Sequence, residues 1–405
     1  KVVNFQCAAT LWENDLSTYH QIGHDSESMI VEPQLNQFSG AILSPVNYSL
    51  NDTISQCARF RSAKPEIDII FDPQLYVPSA NRGELQHWPH KPNDIDTADQ
   101  SSLEWWRATT IKIIDVCHSF KPSGLCSPAF LPRTFDDAYY NLLVDVGDVT
   151  AQQLKEDAVL KDVTRPFLTA LVGLPDLGRS QRYLQVGSIL SRYREKDIYL
   201  VFVDDEKPRN ERSDSGALEG AARLIRVLSQ AGFRVTVGFT SSEMVLWKAA
   251  GAANVATGKF FNLRRFTRGR WDEEESSGGR NIPYWFEPAL LAFIREADVR
   301  RYMKEFQIDP SHDANPFSKS ILEKLDAPEQ KAWVADSWRQ FLYWFAHCES
   351  VIGNDFTKCS GMVSNAADTW HAVKGAKLRF EEERNNGEWI RAWDIVLSEL
   401  DRRPD

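Results

Sequence analysis

The strongest constraint on this chain is a set of short, continuous apolar runs, rich in β-branched residues, that recur with helix-length stretches between them. The clearest are GAILSP (40–45), IDIIFDP (67–73), PFLTALVGL (166–174), DIYLVFVDD (197–205), RVTVGF (234–239) and NVATG (254–258). Weaker candidates are VVNFQCAA (2–9), SPAFLP (127–132) and IPYWFE (282–287). Because the runs are continuous and do not alternate, they fit parallel strands buried on both faces. Helices are expected over 101–120, 178–195, 215–232 and 241–251, the last two ending on Gly232 and Gly251, where helix-terminating glycines belong. Strand and helix alternating about eight times is the pattern of a (β/α)8 barrel, with a doubly wound open sheet as the alternative. After Glu287 the character shifts to amphipathic helices. The expected organisation is therefore a barrel over 1–299 and a helical C-terminal region over 300–405.

With 405 residues, 42% of them hydrophobic, the chain has ample material for a large core. No apolar run approaches the ~18 residues that a membrane span needs. The first residues, KVVNFQCAATLWENDL, lack a long apolar signal core, and the six cysteines are scattered without CxxC pairs. Both features point to a cytoplasmic protein with free thiols.

In a (β/α)8 barrel, chemistry belongs at the C-terminal ends of the strands. That rule selects Asp72, Asp204 and Asp205 as catalytic carboxylates, and Gly173, Gly238, Gly258 and Glu287 as residues facing substrate. A barrel mouth dry enough to separate the pKa values of neighbouring carboxylates makes one an acid and another a base. The bland alternative is that Asp72 caps a turn before Pro73 and that the Asp204–Asp205 pair bounds a loop. The sequence leaves open which of that pair faces the mouth.

The chain is acidic, with a formal net charge of −10, yet Lys259, Arg264, Arg265, Arg268 and Arg270 fall within twelve residues that contain no carboxylate. This stretch follows what reads as the seventh strand, where such barrels often cradle phosphate. Phe260, Phe261 and Phe266 interleave the charges, as on surfaces that hold a nucleic-acid backbone and stack bases. Lys259, Arg264, Arg265 and Arg268 are therefore the expected phosphate grip. The alternative is a solvated basic face paired with the DEEE at 272–275. No cofactor or metal is expected: His347, Cys348, Cys359 and His371, like His87 and His90, have spacings unlike zinc sites. Phosphate-loop, dinucleotide-binding, GxSxG and HExxH motifs are absent from the sequence.

The segment RVTVGFTSSEMVLWKAAGAANVATGKFFNLRRFTR resembles the tRNA-guanine transglycosylases, a barrel superfamily that includes enzymes acting on DNA bases. The marks are Gly238, Glu243, Gly251 and the Arg264–Arg265 pair. IDIIFDPQ resembles the family's early strand ending in an Asp at the base-binding site, which falls on Asp72 with Gln74 just beyond it. The resemblance spans about residues 65–270 and is one of arrangement. The strand NVATG carries no counterpart of the family's nucleophilic Asp, and the zinc pattern is missing. The resemblance thus implies a nucleic-acid partner, DNA at least as readily as tRNA. It also implies cleavage of an N-glycosidic bond by Asp72 with Asp204 or Asp205, water replacing the nucleophile. Excision of modified bases from foreign DNA is one use for such an enzyme. A barrel enzyme on a small phosphorylated metabolite, and a non-catalytic barrel that binds nucleic acid or protein, are the other readings.

Overall fold

A computed structural model describes residues 17–93, 95–96, 98–271, 282–307, 314–327 and 332–402. Eight parallel strands close into a barrel: β1 Ser17–Gln21, β2 Gly40–Leu43, β3 Asp68–Phe71, β4 Gly124–Cys126, β5 Arg165–Gly173, β6 Asp197–Asp204, β7 Arg234–Val237 and β8 Asn254–Gly258. Closure is made by β1 against β8, in the register Ser17↔Asn254 to Gln21↔Gly258. The expected (β/α)8 architecture is therefore present, and six of its strands are the clear apolar runs. The run at 2–9 lies outside the described residues.

Three strand assignments change. The first strand is STYHQ, whose Thr18, His20 and Gln21 are buried polar residues that no search for apolar runs would select. It shifts the count by one, so NVATG is the eighth strand and not the seventh. The fourth strand is the short GLC just before the expected SPAFLP. IPYWFE supplies no barrel strand: β10 (Trp285–Glu287) pairs antiparallel with β11 (Ala292–Ile294) in a separate hairpin.

Helices α1 (Leu50–Ala63), α2 (Leu103–Cys117), α3 (Asp137–Glu156), α4 (Leu174–Leu177), α5 (Arg182–Leu190), α6 (Ser215–Gln230) and α7 (Met244–Ala249) connect the strands from β2 onward. Ser49, Ser102, Asp136 and Asp214 cap the starts of α1, α2, α3 and α6 by accepting backbone N–H groups three residues on. Between β1 and β2 the chain makes only 3₁₀ turns.

Beyond the hairpin come α8 (Glu296–Phe306), α9 (Pro316–Asp326), α10 (Val334–Ile352), α11 (Phe356–Gly375) and α12 (Glu388–Arg402). Of these, α10 packs against β1 and β8, filling the helix position that closes the ring. Its Glu349 is buried; it accepts from the Thr18 hydroxyl of β1 at 3.1 Å and pairs with Lys248 of α7 at 2.8 Å. Helix α12 lies on α6, where Arg223 and Arg226 donate to the carbonyls of Glu399 and Leu400 at its end. One hydrophobic core runs without a break from barrel residues such as Tyr199 and Val255 to Phe341, Trp370 and Trp393. No described helix is long and apolar enough to cross a membrane.

Candidate active site

Side chains along a strand alternate between its two faces, and on β6 this decides the question left open by the sequence. Phe202 packs on Trp247 of α7, so its face looks toward the helices. Asp204 shares that parity. It is buried and pairs with Arg212 at 3.1 Å, while the Glu206 amide donates to it at 2.9 Å. Burial alone would raise the Asp204 carboxyl, but Arg212, the Glu206 amide and Arg265 together hold it below the ordinary value. Val203 and Asp205 take the other face and line an open cleft.

Asp204 belongs to a knot of charge. Arg212 also pairs with the fully buried Glu243 at 2.7 Å, and Glu243 accepts the Ser241 amide. Glu211 receives the Ser242 hydroxyl at 3.3 Å, and burial pushes its carboxyl up to about 7, with Arg265 opposing. Two arginines thus face three carboxylates. Protonating Glu211 leaves the knot charge-neutral, which relieves the cost of burying the excess negative charge.

Asp72 is on the inward face of β3, with 1% of its surface exposed. The Tyr76 hydroxyl donates to it at 2.7 Å, as do the amide and side chain of Gln74, whose backbone holds φ at +46°. Above Asp72, Tyr76 meets Phe266 and Trp271 edge-on, and Phe266 meets Phe239. These rings arrive because residues 266–267 form a short strand, β9 (Phe266–Thr267), paired to β6 in the register Val203↔Phe266. Strand β7 pairs with β6 only as far as Leu200, so β9 takes up the backbone groups of β6 that β7 leaves unpaired. The loop after β8 thereby plugs the centre of the mouth.

That plug takes most of the expected phosphate grip away from the open cleft. Arg264 and Arg265 are 3% and 1% exposed. Arg264 donates to the carbonyls of Gly258 and Lys259 and lies 3.8 Å from the centre of the Phe341 ring. Arg265 turns from Phe266 in the opposite sense and donates to the carbonyls of Lys207 and Asn210. Lys259 is buried against Trp338. Of the expected grip, Arg268 alone lines the open cleft, half-buried against Phe135 and donating to the Pro132 carbonyl at 2.8 Å. Arg270 has no described side chain.

Two of the expected substrate-facing glycines serve packing instead. A Cβ on Gly238 would lie 2.5 Å from the Tyr199 hydroxyl, and one on Gly258 would lie 2.5 Å from Leu263. Glu287 ends no barrel strand but lies in the hairpin, accepting from the Trp285 indole at 3.0 Å and the Ala289 amide. Gly173, in contrast, does line the cleft, where a Cβ would lie 2.5 Å from the Phe135 ring.

The cleft has a volume of about 810 Å³ and sits over the C-terminal ends of β4, β5 and β6. It is rimmed by Arg133, Arg179, Arg182 and Arg268, with Asp136, Asp137, Asp176 and Asp205. Three of the four carboxylates are engaged. Asp136 caps α3, Asp137 pairs with Arg182 at 2.5 Å, and Asp176 pairs with Arg179 at 3.1 Å. Asp205 is exposed, and its side chain makes no hydrogen bond or ion pair among the described residues. The sequence reading missed the rim because it stopped at the last strand residue; PRTFDD after β4 and PDLGR after β5 lie only a few positions further on. Among the described residues, no three His, Cys, Asp or Glu side chains are grouped to hold a metal ion.

No protein-family model matches the chain, and no curated protein matches it in sequence. Among solved structures, a GH5-4 broad specificity endoglucanase from an uncultured bacterium is similar at a TM-score of 0.36 and 9% identity, over 60% of this chain and 86% of that one. A likeness that loose carries no functional argument.

Proposed function

We propose that the cleft over β4–β6 is the active site of an enzyme acting on a phosphate-bearing substrate, with Asp205 as its catalytic carboxylate. The carrying observation is the pairing of a rim of four arginines with one accessible, unengaged carboxylate, at the face where barrel enzymes do their chemistry. Arginine forks suit phosphate oxygens, and the volume lies within the range that holds a nucleotide-sized ligand. One step finer, the bond broken is the N-glycosidic bond of a nucleotide within nucleic acid, which is the chemistry implied by the family resemblance. Asp205 then accepts a proton from a water that adds to the sugar C1′. The C1′–N bond breaks, its electrons go to the base, and the base nitrogen takes a proton from solvent. Before that, the same carboxylate stabilises the positive charge developing on the sugar.

A second reading, a small phosphorylated metabolite, is favoured by a specific observation. Arg264 and Arg265 are turned inward, so among the described residues the arginines of the cleft surround a single concave site. One experiment separates the two. Wild type is incubated with modified and unmodified DNA, tRNA, mononucleotides and sugar phosphates, and products are identified by mass spectrometry. Release of a free base from polymer supports the first reading. Turnover confined to small phosphorylated compounds supports the second, and no turnover of any of them refutes both.

A further inference from the structure

A second cavity, of about 190 Å³, lies between the loop after β8 and helix α10. Its walls carry three cations, Lys259, Arg264 and Arg209, together with Ser337, and no carboxylate among the described residues. It shares no lining residue with the arginine cleft. Lys259 is 6% exposed; its ammonium sits 4.1 Å from the Trp338 ring centre and donates to the Asp25 carbonyl at 3.1 Å. Arg264 is 3% exposed, stacked on Phe341 and bonded to two carbonyls. Arg209 donates to the Tyr284 hydroxyl at 3.0 Å.

Among the described residues, none of the three forms an ion pair with a carboxylate. Asp25 and Glu27 act on Lys259, and Glu211 on Arg264, only at longer range, while Arg339 adds positive charge near Lys259. Burial works against both charges, lowering Lys259 and pulling Arg264 down to about 9, so the Arg264 guanidinium stays charged at neutral pH. Two buried cations without a counter-ion are costly, and proteins normally supply a partner for each. The contrast with Arg212, equally buried but held by two carboxylates, shows how this chain neutralises an arginine when no ligand is involved.

We propose that this cavity is an anion site that takes one phosphate group, free or carried by a nucleotide. Residues bearing an ammonium, a guanidinium and a serine hydroxyl line the one cavity, a set that matches phosphate oxygens. The volume is too small for a drug-sized ligand and suits a single oxyanion group. The aromatic walls lower the local polarity and strengthen the attraction. The proposal does not rest on the reading of the cleft.

The test is the thermal unfolding midpoint against added inorganic phosphate, at constant ionic strength set with sodium chloride, with a 5′-mononucleotide as a second probe. A ligand that binds the folded state raises the midpoint in proportion to the logarithm of its concentration. Wild type and the cleft variant Arg133→Gln should show the rise, and Lys259→Gln should lose most of it. Arg264→Met is a poorer probe because it also removes core stacking. A rise with inorganic phosphate assigns the site to free phosphate, and a rise with the mononucleotide alone assigns it to a nucleotide. The proposal is overturned if neither probe raises the midpoint, or if Lys259→Gln responds as fully as wild type. Loss of the response in Arg133→Gln but not in Lys259→Gln would place phosphate in the cleft alone, which also overturns it.

Discussion

Two regions at the same end of the barrel use arginine in opposite ways. In the cleft over β4–β6, Arg133 and Arg179 are exposed, and the pairs Arg182–Asp137 and Arg179–Asp176 lie at the rim. In the plug and the charge knot beside it, Arg212, Arg264 and Arg265 are buried, held by two carboxylates, by carbonyls and rings, and by carbonyls respectively. The first arrangement costs little stability and leaves charge available to a ligand. The second fixes the loop after β8 onto the strand ends. Position relative to β9, more than residue type, decides which role an arginine takes.

The largest expected contrast is in stability. Arg212→Met should cost about 3–5 kcal/mol in urea unfolding, because it strands Asp204 and Glu243 as uncompensated buried charges. Arg179→Met, at a rim pair with the arginine side chain 76% exposed, should cost less than about 1 kcal/mol. Equal costs would dissolve the distinction between knot and rim.

Glycine substitutions sharpen it next. Gly238→Ala drives a methyl into Tyr199, a fully buried ring tied to Gln21 at 3.1 Å, and should cost about 1–3 kcal/mol by thermal denaturation. Gly173→Ala meets Phe135, a half-buried ring on the cleft wall, which can swing outward. Its expected effect is a smaller stability loss and a larger loss of activity.

The pH dependence should split in the same way. Burial, with Arg264 and Lys259 nearby, holds His20 down to about 3 from 6.5, and burial holds His90 down to about 4. Both folded values lie below the unfolded one. Their contribution is therefore complete above pH 6.5 and lost as pH falls toward 4 and then 3. Glu211 runs the other way: raised from 4.5 to about 7, it favours the fold at low pH, and that contribution is lost as pH rises through 7. Urea midpoints measured across pH 4–8 should show His20→Leu flattening the acid limb and Glu211→Gln removing a decline between about pH 4.5 and 7. A Glu211→Gln profile that matches wild type would show that the knot does not hold this group protonated.

Much of the barrel was legible in the chain because its central strands are buried on both faces and read as unbroken apolar runs. β1 was not, since it buries Thr18, His20 and Gln21 through side-chain bonds and ring contacts that leave no hydrophobic signature. The strand-end rule reached Asp205 and Gly173, and the basic run reached Arg268; the three do meet in the cleft. It also selected Asp72 and Asp204, which the plug and Arg212 withdraw, because sequence position alone does not reveal what covers a strand end. The basic run lies deeper than an open loop would for a related reason. Charge density reads as exposure, while Arg264 is held in the core by Phe261 of the run and Phe341 of α10.

The smallest expected change in stability belongs to the residue expected to matter most for chemistry. Asp205 is exposed and unengaged among the described residues, so Asp205→Asn should leave the urea midpoint within about 0.5 kcal/mol of wild type. The direct test of the account is the single-turnover rate of Asp205→Asn on whichever substrate wild type turns over, read beside that midpoint. The account predicts a loss of about 100-fold or more at unchanged stability. Wild-type turnover by this variant would contradict it.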